Sequence, residues 1–225
     1  ILGRAPVNDN GGMSSKRSRN KNGRPAAPQT RKPAPVAAAK PAAPVEEGGN
    51  PNLILGAVIV VALFLAWYYH LSAMGQMKDL VGGITMLDHH PFGYDAATVD
   101  HLRGAMNDDA RGQLSWVHKT AGTLFSLFAA FATALAIGLH APKKPWRRAL
   151  YALPIAFAVV AIIQNIVVDQ LLGASNNSLL PLANGLTIAS WILLGLCIVA
   201  TIGFPVSAFV REFKRRWNDP SLQDA

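Results

Sequence analysis

The stretch Leu53–His70, LILGAVIVVALFLAWYYH, decides the fold. It runs from Leu53 to Ala66 without one polar side chain and ends in aromatics and a histidine. A helix of about 20 such residues crosses the ~30 Å hydrocarbon core of a bilayer. In lipid the backbone must bond to itself, and a helix does so within one segment. Three more segments share the pattern: Val117–His140, Ala149–Leu172 and Leu182–Phe204. The expected fold is all-α, a four-helix transmembrane bundle and thus an integral membrane protein with the lipid bilayer as its first partner.

Charge orients the bundle. The chain has 225 residues, is 51% hydrophobic and 15% charged, and carries a formal charge of +8. Cations gather in three zones. Lys16, Arg17, Arg19, Lys21, Arg24, Arg31, Lys32 and Lys40 precede span one. Lys143, Lys144, Arg147 and Arg148 separate spans two and three, and Arg211, Lys214, Arg215 and Arg216 follow span four. With four spans all three zones share one side, and arginine and lysine mark the cytoplasmic side. The expectation is a multi-pass protein of the bacterial inner (plasma) membrane with both termini cytoplasmic. The outer loop carries Asp79, Asp88, Asp95, Asp100, Asp108 and Asp109 against few cations, and the 173–181 loop carries no charge.

Three regions follow. Residues 1–52 form a basic, Pro/Ala-rich tail with too few large apolar side chains to offset its ordering entropy, so a disordered region is expected. Within it Met13 opens a basic run, MSSKRSRNKNG, and residues 1–12 are open to two readings, translated sequence or an upstream extension of the frame. Residues 53–212 hold the four spans and the outer loop 71–116, and 213–225 a cytoplasmic C-terminal tail. Span one reads as a retained anchor, because the region before it far exceeds the n-region of a signal peptide. No aromatic residue interleaves the tail's cations, so they read as a topology signal and lipid-headgroup attraction, and no nucleic acid partner is expected. Cys197 is the only cysteine, which rules out an intrachain disulfide.

The outer loop has its own punctuation. Gly82-Gly83 and His90-Pro91-Phe92-Gly93 break it. Asp95 reads as an N-cap, and Val99, Leu102 and Met106 recur as one apolar stripe of a short extramembrane helix. Asn107-Asp108-Asp109 reads as a second helix start, with acids matching the helix dipole. From there a helix runs through Trp116 into span two. Trp67, Tyr68, Tyr69, Trp116, Trp146, Tyr151 and Trp217 stand at belt positions. Trp191, inside span four, faces either lipid or core.

Span two carries Gly122, Ser126, Ala130, Ala134 and Gly138 at every fourth position, the spacing that lets helices approach closely, within one chain or in self-association. Span three carries Gln164 and Asn165, and span four Asn184, Thr187 and Ser190. Polar groups at that depth need partners, and hydrogen bonds between spans three and four are the expected ones. Asp169 is placed to reach the interface or His118. His70, His89, His90, His101 and His118 all fall on the outer side. Imidazole with the adjacent Asp88 suits zinc or copper, so His70, His89, His90 and His118 are the metal candidates. Their spacing forms no ligand motif, and exposed interfacial histidines with no metal or other cofactor are expected. His70 and His118 are the pair a haem between helices would use, although both lie at the bundle's rim.

Together these residues resemble an uncharacterised family of small four-span bacterial membrane proteins. Gly93-Tyr94, Val99, Leu102, Arg111 and His118 follow its loop pattern. Gln164-Asn165 stands where the family has Glu-Asn, and Thr187, Ser190 and Trp191 where it has Thr-x-x-Lys-Trp. The family's membrane acids and lysine are replaced here by Gly122, Ala161, Gln164 and Ser190, all neutral. Joint loss of a paired glutamate and lysine leaves no stranded charge. The resemblance implies the fold and no activity.

No glycine-rich phosphate loop, nucleophile elbow or zinc-protease helix is present, and no catalytic residue is assigned. The favoured expectation is a non-catalytic accessory or interaction protein that engages lipid or a larger membrane complex. The alternatives are an oligomeric transporter or channel built on Gln164, Asn165, Asn184 and Thr187, and a haem or metal redox protein built on the histidines.

Overall fold

The computed structural model describes residues 49–142 and 145–218. The expected disordered tail lies outside the described residues up to 48, as do Lys143, Lys144 and residues 219–225. The described residues contain helices and no strand. Four helices are long and apolar enough to cross a membrane: α1 Pro51–Leu80, α3 Asp108–His140, α4 Arg147–Gly173 and α5 Leu180–Trp217. The short α2, Ala96–Ala105, lies between α1 and α3. The described residues form a four-helix bundle, with the short α2 between its first two long helices.

Local chemistry sets the helix starts. Asn50 caps α1 by accepting from the Asn52 amide at 3.0 Å, with Pro51 in the first turn. Asp95 accepts from the Thr98 hydroxyl at 2.7 Å and from the Thr98 amide at 2.8 Å, and these bonds, the hydroxyl's first, hold its exposed carboxyl below the usual range. Asn107 accepts from the Ala110 amide at 2.8 Å and starts α3, which runs unbroken into the membrane segment. Glycines at φ 71° and 90°, Gly82 and Gly83, turn the chain after α1.

α3 is the hub. It packs against α1, α4 and α5, α4 packs closely on α5, and α1 and α5 scarcely touch. The core gathers at the end that carries the 81–107 loop, here called the cap end. Met74, Met77, Met86, Leu87, Val99, Leu102, Leu114, Val168 and Leu171 are all buried there. The α2 stripe of Val99 and Leu102, with Met106 just beyond it, is buried as its spacing implies. Arg103 reaches from α2 to the end of α4, donating to the Leu171 carbonyl at 2.9 Å and Asn177 Oδ1 at 2.8 Å. A cation on the last carbonyls of a helix also meets its dipole favourably.

The helices outrun the expected spans. α1 continues to Leu80, and α3 begins at Asp108, where the Asn107-Asp108-Asp109 start placed a helix running through Trp116 into span two, so residues 81–107 connect the two. Hydropathy registers only the lipid-length part, whereas the extra turns are held by Met74, Met77, Ala110 and Leu114 buried against the cap. α5 likewise passes Phe204 and the expected tail boundary at 213 to reach Trp217. Phe209, Phe213 and Trp217 stack along it at 6.4 and 5.9 Å, and Glu212 pairs with Arg215 and Arg216 at 2.8 and 3.1 Å.

The small-residue stripe of α3 splits. Gly122 and Ser126 are buried, whereas Ala130, Ala134 and Gly138 are half-buried, with Ala130 and Ala134 along a groove between α3 and α4. Four residues at 100° each overshoot a full turn by about 40°, so a strict four-residue stripe winds off a straight seam. Farther from the cap the seam passes to Ala132, Thr133, Ala136 and Ile137.

Candidate functional site

Two π-helical turns face each other below the cap: Trp67–Ala73 in α1 and His118–Gly122 in α3. A π turn inserts an extra residue, re-aims the side chains around it and frees backbone groups. In α3 the His118 carbonyl accepts from the Thr123 amide, from Thr123 Oγ1 at 3.1 Å and from Asn165 Nδ2 at 3.3 Å. Gly122 makes room for this. A methyl group there would come within 2.7 Å of Asn165 Nδ2 and 3.2 Å of the Tyr69 ring.

His118 is wholly buried, contrary to the expectation of an exposed, rim-standing histidine. The re-aimed π turn and its two carboxylate partners account for the difference. Nδ1 lies 2.6 Å from Asp169 Oδ1 on α4, and Nε2 lies 3.2 Å from Asp88 Oδ2. Asp169 remains partly open at the surface, and Asp88 is sealed in. Asp88 sits on a single 3₁₀ turn, Leu87–His89, drawn into the bundle by the buried Met86 and Leu87. Burial pushes its carboxyl up, but attraction and hydrogen bonding from His118 outweigh this and hold it below the ordinary value.

Asp88 joins three helices. Besides His118 it accepts from Gln164 Nε2 of α4 at 3.2 Å, and its backbone carbonyl accepts from Trp191 Nε1 of α5 at 2.9 Å. Gln164 Oε1 accepts from Ser190, which also donates to the Thr187 carbonyl at 3.0 Å. Thr187 Oγ1 is 3.4 Å from the Tyr94 hydroxyl, and Asn184 Oδ1 takes the Tyr94 amide at 3.1 Å. Burial raises the Tyr94 phenol to about 12, against a small opposing effect of the Thr187 bond. Asn165 departs from the expected α4–α5 pairing. It faces α3, and its Oδ1 takes a long bond of 3.5 Å from the Tyr69 hydroxyl.

The structure thus gathers Gln164, Asn165, Thr187, Ser190 and His118 into one latch, with Asn184 tying the loop beside it. Gln164 and Ser190, two of the neutral replacements, bond directly to each other. His89 and His90 stay half-buried in the loop, and burial lowers the His89 imidazole, with Asp88 opposing. His101 is exposed. His70 and His118 cannot share a haem as axial ligands, because both nitrogens of His118 are taken by carboxylates. Among the described residues no three of His, Cys, Asp and Glu converge as a metal site. Sequence reasoning missed Asp88, Tyr69 and Trp191 as members. The available signal was an aspartate directly after Met86-Leu87, an acid where the chain otherwise reads as core.

Gly93 is the loop's conformational pivot. Its φ is 94°, and a Cβ there would overlap Asn184 Oδ1. Gly93→Ala should therefore cost about 1–3 kcal/mol, through backbone strain and loss of the Tyr94 amide's acceptor. A lower unfolding midpoint in detergent, relieved in part by Asn184→Ala, is the expected reading.

The chain has no match among family models, curated proteins or solved structures.

Proposed function

We propose that the protein is a non-catalytic accessory component of its membrane, working by binding lipid or a larger membrane complex through a rigid, latched cap. The carrying observation is that the buried charged groups of the latch, Asp88 and His118, close on their neighbours. His118 is satisfied by Asp88 and Asp169, and Asp88 by His118 and Gln164. Polar continuity also stops halfway. Toward the far end, among the described residues, the bundle interior offers Cys197 and the Thr133–Thr201 hydroxyl contact at 2.9 Å, amid apolar side chains. A single copy therefore lacks the continuous polar path that ion passage needs. This favours the accessory reading over the transporter.

The bacterial inner-membrane setting, cytoplasmic termini and kinship with the four-span family belong to the same proposal, supported by the cation zones and the loop motif. Native mass spectrometry after gentle extraction is the test. The expected result is a mass above the bare chain from retained lipid or partner, and a bare monomer throughout would count against the proposal. In sealed proteoliposomes no proton or cation flux above empty vesicles is expected. A saturable flux abolished by His118→Gln would revive the transporter reading.

A further inference from the structure

Because α1 and α5 both pack on α3 but scarcely on each other, a cleft of about 300 Å3 remains between them. Ile59, Leu63, Ala129, Ile198 and Ile202 wall it, and no charged side chain lines it. At its cap end stand three flat groups, His70, Phe125 and Trp191. The His70 ring is 5.1 Å from Phe125 and 5.7 Å from Trp191. Both nitrogens of His70 are closed off from solvent and have no hydrogen-bond partner among the described residues. An unpaired buried imidazole is costly. It stands out beside a latch whose other members are bonded.

A second chamber of about 30 Å3 adjoins the cleft and shares His70, Phe125, Trp191 and Leu194 with it. Asp88, Gln164, Asn165 and Ser190 line its far side. It has room for a water between polar groups. His70 therefore stands between an apolar cleft and the polar latch.

We propose that this cleft binds a membrane quinone, with its flat, uncharged, carbonyl-bearing ring beside Phe125 and Trp191 and its isoprenoid tail along Leu63, Ile198 and Ile202. One carbonyl oxygen accepts a hydrogen bond from His70, whose ring presents a nitrogen after turning about the soft Cβ–Cγ torsion. The chemistry of the walls selects this class. A phosphate or carboxylate head would enter a lining with no cation. The carboxylates of a haem meet the same objection. A bare acyl chain fills the cleft and offers His70 no acceptor. The proposal concerns binding alone and stands independently of the accessory role.

The test is thermal unfolding of the purified full chain in detergent with added decyl-benzoquinone, which stabilises the folded state by mass action if it binds there. The midpoint should rise and saturate, and oleate should not reproduce the rise. In His70→Phe the half-saturating concentration should increase about tenfold, the loss of one good hydrogen bond. In Ala62→Phe, which fills the cleft from α1, the shift should vanish. An unsaturable or absent shift in the wild type overturns the proposal. So does an equal shift with oleate that His70→Phe leaves unchanged, which would mark an acyl-chain site. Should His70→Phe not fold, Ala62→Phe decides: a retained quinone shift there overturns the assignment.

Discussion

Asp88→Ala is expected to destabilise the protein by about 3–5 kcal/mol, the range seen when one partner of a buried ion pair is removed. Three separate losses combine. His118 keeps Asp169 at 2.6 Å but loses its second carboxylate, and Gln164 Nε2 loses its acceptor. The 3₁₀ turn that carries Asp88 also loses its anchor in the bundle. Asp88→Asn should cost less, since an amide still offers an oxygen to Gln164. The effect carries a pH signature. The Asp88 carboxyl is held below its ordinary value in the folded protein, so its contribution is complete above the unfolded pKa of about 3.9. It fades as pH falls through the lower folded value. The gap between wild type and Asp88→Ala, measured by equilibrium unfolding in bicelles, should be constant between about pH 5 and 6, below the ordinary imidazole value, and narrow in strong acid.

Gly122→Leu is the second large effect expected. The first carbon of the new side chain would already lie 2.7 Å from Asn165 Nδ2 and 3.2 Å from the Tyr69 ring. Neither neighbour yields freely. Asn165 is bonded to the His118 carbonyl and the Tyr69 hydroxyl, and the Tyr69 ring is packed against His70 and Phe125 at 4.7 and 6.1 Å. Overpacking of a filled core costs about 1–3 kcal/mol, more where the surroundings are tethered. The two π turns would be pushed apart and the latch misaligned, giving a lowered unfolding midpoint and heterogeneous elution. Gly56→Ala and Gly195→Ala are the controls. A Cβ at either position meets nothing within 4 Å and Ala favours a helix over Gly, so no loss is expected and a gain of up to about 1 kcal/mol fits. Loss of stability at all three glycines alike would detach the effect from the π-turn contact, since Ala and Leu both favour a helix more than Gly does.

The contrast between Gly122 and Gly138 shows how far a sequence pattern carries. Both belong to the same four-residue stripe, yet only Gly122 is wedged between helices. At Gly138 a Cβ would meet no more than the Tyr151 hydroxyl, at 3.0 Å. Periodicity identifies a helix face, and the winding of a four-residue stripe and the π insertion then decide which part of that face meets a neighbour. The spans, the Asp95 and Asn107 caps and the α2 stripe were legible because each follows from local chemistry. The latch was not. His118 and Asp88 are thirty positions apart, and π turns carry no sequence signature that hydropathy registers. Exposure was expected of His118 because it opens an apolar run, which locates the membrane edge but not the side of the helix that faces inward. Asp169 was the exception, placed within reach of His118 by depth alone.

Asp88 and His118 latch the loop into the bundle. A double-mutant cycle of Asp88→Ala and His118→Ala, read by reversible unfolding in bicelles, tests it most directly. Coupling of about 1–3 kcal/mol is expected, with the double variant recovering part of what each single variant loses. Losses that add to within about 0.5 kcal/mol would mean the two side chains act independently, and the latch would be contradicted.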